Sequence, residues 1–175
     1  MCTKQTIEYS NENPDEFIEH IITLLKTKRI ASKFVGFTEN EIQKVKDDQK
    51  ISVLPRLFEL YLKHMGHEGF TNIFRGSDFG LYSMEGDKET MILNIEYRNS
   101  IYPKTITLPK DIFVFMSHQG HSYMFFESTD IDSDPTVYLY TESGFEVRKI
   151  SERLSEFFIN EINNYALRRN ADLAR

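Results

Sequence analysis

The sequence predicts an α+β domain: helices first, then an antiparallel sheet, then one closing helix. Three observations predict it. Apolar residues recur at helical spacing through most of the first hundred positions. From Ile112 they gather instead into short aromatic and β-branched runs separated by glycine. The chain has 175 residues, enough to close one hydrophobic core without staples. No repeat or low-complexity stretch interrupts it. The domain is therefore expected over residues 13–166, between a flexible N-terminal tail at 1–12 and a C-terminal tail at 167–175.

Each element has its own signal. The first helix should begin at Asn13-Pro14, a capping residue followed by a proline whose missing N–H is no loss there. Phe17, Ile18, Ile21, Ile22 and Leu25 form its apolar face, and Lys26, Lys28 and Arg29 suit the dipole at its end. Thr38-Glu39-Asn40-Glu41 reads as a capping box that starts a second helix with Ile42 and Val45 inward. A third runs from about Pro55 to Met65 on Leu57, Phe58, Tyr61, Leu62 and Met65, with Gly66 placed as a left-handed C-cap. A fourth is expected over Asp87 to Arg98 with Met91, Ile92 and Ile95 inward, although Ile92 to Ile95 also suits a strand. Ile112–Met116 and Tyr123–Phe126 flank Gly120 as a hairpin, and Val137–Tyr140 and Phe145–Arg148 flank Ser143-Gly144 as another. A final helix from Ser151 to about Tyr165 should bury Leu154, Phe157, Phe158, Ile162 and Tyr165.

Charge narrows the choice of partner. Asp and Glu number 27 against 21 Lys and Arg, a formal charge of −6. Nucleic acid wants a clustered cationic face, so it is disfavoured. A basic protein partner suits the sign better, because complementary potential steers encounter. Cys2 is the one cysteine, so no internal disulfide is possible. No apolar run approaches the roughly 20 residues of a membrane-spanning helix. With no signal-type core after Met1, a cytoplasmic location is expected.

Chemistry-bearing motifs fail on inspection. Asp130-Ile131-Asp132-Ser133-Asp134 has calcium-loop spacing, but Pro135 stands where the loop needs glycine and Thr141 where it needs a bidentate Glu. A solvated acidic turn is the simpler reading. His64 with His67 and His118 with His121 have HxxH spacing. One pair straddles Gly66 and the other a turn, and zinc would still need further donors. Cys2 lies in a polar terminus whose removal should matter little. No nucleophile elbow, Walker loop or dinucleotide fingerprint occurs. The rings of Tyr123, Phe125, Phe126, Tyr138 and Tyr140 lack the cationic groove of a base-stacking platform, so inward rings are read as core and outward tyrosines as protein-contact material. No catalytic residue, cofactor or metal is expected.

Several segments in order resemble the SUKH superfamily, which includes the fungal Smi/Knr-type cell-wall regulators. They are Gly36-Phe37-Thr38-Glu39-Asn40-Glu41-Ile42, then Leu54-Pro55 with Met65-Gly66, and Phe74-Arg75-Gly76-Ser77-Asp78-Phe79. Leu108-Pro109-Lys110-Asp111, the stretch from Val114 to Phe126, Asp134-Pro135-Thr136-Val137 and Leu154-Ser155-Glu156-Phe157-Phe158 follow. The likeness covers roughly residues 34–165. It departs at His121, where a tyrosine is usual, and at Thr136, where a second proline is frequent.

The resemblance implies a central, mostly antiparallel sheet flanked by helices, and it carries over no catalytic residue. Bacterial members are typically immunity proteins that neutralise polymorphic toxins, many of them nucleases or deaminases, by direct binding. The expected function is therefore an immunity protein for a basic, nuclease-type toxin. The alternative is a regulatory adaptor of the fungal type, whose long flanks are not matched here. If the shared motifs are scaffold, Asp134-Pro135 shapes the turn before Val137 and Gly120 the hairpin. Partner specificity then falls to Glu127, Asp130, Asp132 and Glu142, taken as one acidic loop region.

Overall fold

Asn13 opens the first helix as its sequence implies: its side-chain oxygen accepts the Glu16 N–H at 3.3 Å, and helix α1 runs Pro14–Thr27. The computed structural model describes residues 13–70, 73–74, 84–103, 105–129 and 131–173. The expected tail 1–12 with Cys2, the motif from Arg75 to Phe79, and Asp130 lie outside the described residues. Helix α2 is Glu39–Asp48, and its capping box is complete. Thr38 Oγ1 accepts the Glu41 N–H at 3.3 Å while the Glu41 carboxylate accepts the Thr38 N–H at 2.7 Å. The Thr38 N–H and then its hydroxyl, both donating to the Glu41 carboxylate, hold that carboxyl below its ordinary pKa.

Helix α3 is Arg56–Met65, with Pro55 as its N-cap. Gly66 is not the left-handed cap expected. It sits at φ −63° and ψ −32°, ordinary right-handed backbone. Glycine is required there for space, since a Cβ would stand 2.7 Å from the Phe37 ring and 2.8 Å from the Leu62 carbonyl oxygen. Helix α4 is Asp87–Ile101, helical throughout rather than strand, with Met91 and Ile95 buried and Ile92 half-buried.

Four strands follow as an antiparallel meander: β1 Ile112–His118, β2 Ser122–Glu127, β3 Val137–Thr141 and β4 Glu146–Ser151. Gln119 and Gly120 turn the first hairpin at φ 51° and 68°. Phe145, expected as a strand residue, belongs instead to the second turn at φ 49°. Helix α5 is Leu154–Leu173. It starts later than expected because Ser151 still pairs with Val137 at the end of β4. Beyond Tyr165 it continues through residues 167–173.

Two layers of helix enclose the sheet. On one face α1, α3 and α5 bury Phe113, Phe115 and Phe126. The Phe58 ring of α3 lies 5.1–5.8 Å from those three rings, pairings worth about 1 kcal/mol each beyond area. A bulge between Val114 and Met116 turns Phe115 and Met116 both toward this side. On the other face α4 packs Met91 and Ile95 against Val114, Tyr123, Phe125 and Tyr140. This corrects the reading of outward tyrosines as contact material: Tyr123 and Tyr140 are fully buried and Tyr138 half-buried.

Burial of these phenols has a measurable consequence. Burial, helped by the nearby carboxylates of Asp87 and Glu142, pushes Tyr123 up to about 12. Burial likewise raises Tyr61 well above 10, and raises Tyr140. Folded pKa values above the unfolded value near 10 mean stability that is present below pH 10 and lost as pH rises through the folded values. An absorbance titration should show these three tyrosinates appearing only together with loss of helical ellipticity, above the pH at which an exposed tyrosine ionises. Their ionisation in a chain that stays folded would contradict this packing.

Candidate partner-binding surface

The three acidic candidates among the described residues do not form one region. Glu127 is exposed at the end of β2, opposite Ile112, and Asp132 lies just beyond in the β2–β3 loop. Glu142 lies in the β3–β4 turn, beside the other end of β2, where Ser122 pairs with Thr141. Five residue steps along β2 separate the two ends, about 17 Å.

The Asp132 end is committed to holding the scaffold. Asp132 Oδ1 accepts the Asp134 N–H at 3.0 Å, and the Asp132 N–H reaches Thr129 Oγ1 at 3.4 Å. Asp134, 8% exposed, accepts the Ser155 N–H at 2.8 Å and the Ser155 hydroxyl at 2.6 Å. Its carboxylate therefore caps α5 from the loop that precedes β3. Burial holds its pKa above the ordinary carboxylate value, and the Ser155 bonds oppose that rise. The Ser133 carbonyl accepts the Leu57 N–H at the start of α3 at 3.1 Å. Two helix N-termini thus converge on one short loop, the Asp134 carboxylate meeting one and the Ser133 carbonyl the other. Sequence reasoning assigned Asp134 to the turn before Val137 and missed the cap, because Ser155 is 21 residues away.

The histidines separate as well. His67 Nε2 is 3.0 Å from Glu41 Oε1 and its ring meets Phe37, while His64 is exposed. His121 Nδ1 is 2.9 Å from Glu142 Oε2. His118 borders a shallow hollow of about 300 Å³ over Met116, Met124 and Leu139. Among the described residues no three His, Cys, Asp or Glu side chains converge as metal ligands.

The Glu142 end is built differently. Besides His121, the Glu142 carboxylate accepts from the Asn94 side-chain amide, and its carbonyl accepts from Arg98 at 3.2 Å. The Arg98 guanidinium lies 3.4 Å from the Phe145 ring centroid, and Tyr102 meets the same ring at 4.6 Å. A bulky residue at positive φ is strained by about 1–2 kcal/mol, and the cation–π contact offsets part of that. Next to this cluster the outer side of α4 carries Leu93, Tyr97 and Ile101, 58%, 67% and 52% exposed. Sequence reasoning missed this stripe. Its spacing of four was legible, but it was overshadowed by the Met91 and Ile95 face that packs on the sheet.

The SMI1 / KNR4 family (SUKH-1) model matches residues 36–160, from the glycine before α2 into α5. The chain belongs to this family. The SUKH-1 match spans the Thr38 capping box, the whole sheet and the Asp134 cap, so these belong to the SUKH-1 domain. No curated protein matches the chain. Among the described residues no helix is long and apolar enough to cross a membrane.

Proposed function

We propose that this SUKH-1 domain is an immunity protein that neutralises a cognate toxin domain, basic and of the nuclease type, by binding it directly in the cytoplasm. The reading makes it a binding protein with no reaction of its own. The observation that carries it is the net charge of −6 on a SUKH-1 scaffold. Nuclease toxins need cationic surfaces to hold phosphate, and an acidic protein meets such a surface with complementary potential.

Co-expression tests it. The product of the gene beside this one should arrest growth alone and not together with this chain, and the two purified proteins should form a complex. A neighbour that is bound but harmless would point to an adaptor of the fungal type instead. Charge reversal tests the electrostatic part. Asp132 is a poor site for it, because its carboxylate holds the Asp134 N–H. Glu127, exposed at a strand end, is the cleaner choice. Glu127→Lys should shift stability by under about 0.5 kcal/mol. Stopped-flow association should slow about threefold at 10 mM salt, where the screening length is roughly 30 Å, and recover at 0.15 M. An unchanged rate at low salt would remove charge steering from the reading.

A further inference from the structure

We propose that the toxin docks on the outer face of α4 together with the β3–β4 turn, and not on the Asp132 loop; this rests on the immunity reading above. Asp132 and Asp134 have little left to offer a partner, since Asp132 already holds a backbone N–H and Asp134 caps α5. The α4 face has the opposite character. Leu93, Tyr97 and Ile101 recur every fourth residue, so they line one side of the helix, and each is more than half exposed. Tyr102, 46% exposed, follows at the end of the helix, and exposed apolar side chains gathered on one face of a soluble protein commonly mark an interaction site. Two tyrosines among them supply rigid, amphipathic anchors of the kind enriched at interfaces.

Charge selects the occupant. Arg98, the cation at this face, is engaged by the Phe145 ring and the Glu142 carbonyl. The exposed charges flanking the stripe on α4 are Glu89 and Glu96, and no ion pair among the described residues involves either. A second copy of this chain would bring the same acidic rim against itself in a two-fold contact, which like charges oppose. A basic surface presenting an apolar anchor fits both features. The network from Asn94 through Glu142 to His121 ties the turn to the helix, so the face is held rigid before binding.

The probe is the purified product of the adjacent gene, with binding followed by calorimetry and oligomeric state by sedimentation velocity. Leu93→Ser with Tyr97→Ala removes exposed groups only, so the melting temperature should hold, and affinity should fall at least 100-fold. Leu167→Ala, an exposed apolar residue on α5, should bind within twofold of wild type. If the folded double variant binds within threefold of wild type, the docking face is wrong while the immunity reading stands. If the wild-type chain neither binds nor protects against that product, the immunity reading fails and this inference falls with it. If the wild type is a dimer and the double variant a monomer, the face belongs to a second copy and the proposal is overturned.

Discussion

Replacing Gly36 by alanine is expected to destabilise the domain by about 3 kcal/mol or more, the largest effect of any glycine substitution in the described chain. A Cβ at position 36 would stand 1.6 Å from the Lys63 carbonyl oxygen and 2.3 Å from its carbon. Both are backbone atoms at the end of α3, so no rotamer change can make room. The strand of chain that carries Gly36 cannot simply back away either. The Phe37 N–H donates to the Leu62 carbonyl at 2.8 Å, the Val35 N–H to the Glu68 carbonyl at 3.1 Å, and the Val35 carbonyl accepts from His67 at 2.8 Å. Separating the segments would break these bonds and uncover Phe37, a core ring. Thermal melts should show a fall on the order of 10 °C. Gly144→Ala is the comparison, because its Cβ would approach only side-chain atoms, at 3.0 Å and beyond, and should change stability by less than about 1 kcal/mol. A Gly36→Ala protein as stable as the Gly144→Ala one would mean that the α3 end can retreat.

Gln49→Leu should be nearly as damaging, at about 3 kcal/mol, although it exchanges one side chain for another of similar size. Gln49 is fully buried. Its amide donates to the Val114 carbonyl at 2.6 Å and the Met84 carbonyl at 2.9 Å, and its oxygen accepts the Val114 N–H at 2.7 Å. β1 is an edge strand, so without Gln49 the Val114 groups that face away from β2 would be left buried and unpaired. Gln49 therefore supplies what a fifth strand would have supplied. Urea titration at unchanged slope should report the loss, and hydrogen exchange should show the Val114 amide opening before its neighbours in β1. Gln49→Glu separates hydrogen bonding from packing. The buried carboxylate would have a folded pKa raised above its unfolded value, so the variant regains stability as pH falls through that value. A Gln49→Leu protein of wild-type stability would remove the amide from this account.

Helix boundaries in the N-terminal half were legible because the groups that set them are near in sequence. Asn13 caps through Glu16, and Thr38 exchanges bonds with Glu41, each within three residues. The hairpins were legible for the same reason, their turns being local. The sequence also holds the SUKH-1 segments in order, and these carry the family likeness without any tertiary information. Its charge gave the preference for a basic partner. Other assignments depended on distant partners and could not be read. Gln49 meets Val114 across 65 residues, and Asp134 meets Ser155 across 21. Gly66 looked like a left-handed helix cap and Gly36 like a residue leading into a capped helix, and only the close packing around α3 reveals that each is there for lack of a side chain.

The candidate surface divides along the same line. Sequence alone determined that the chain is acidic, that its second half folds as hairpins, and that Leu93, Tyr97 and Ile101 recur every fourth residue. Only the tertiary structure decided which acids lie together, setting Glu142 at the opposite end of the sheet from Glu127 and Asp132. It also decided that Tyr123 and Tyr140 are covered by α4 and that the outer stripe of α4 is not covered in turn. The reason is physical. Periodicity specifies that a helix has two apolar sides, but which side meets the sheet depends on the shape of a surface assembled from residues twenty to fifty positions away.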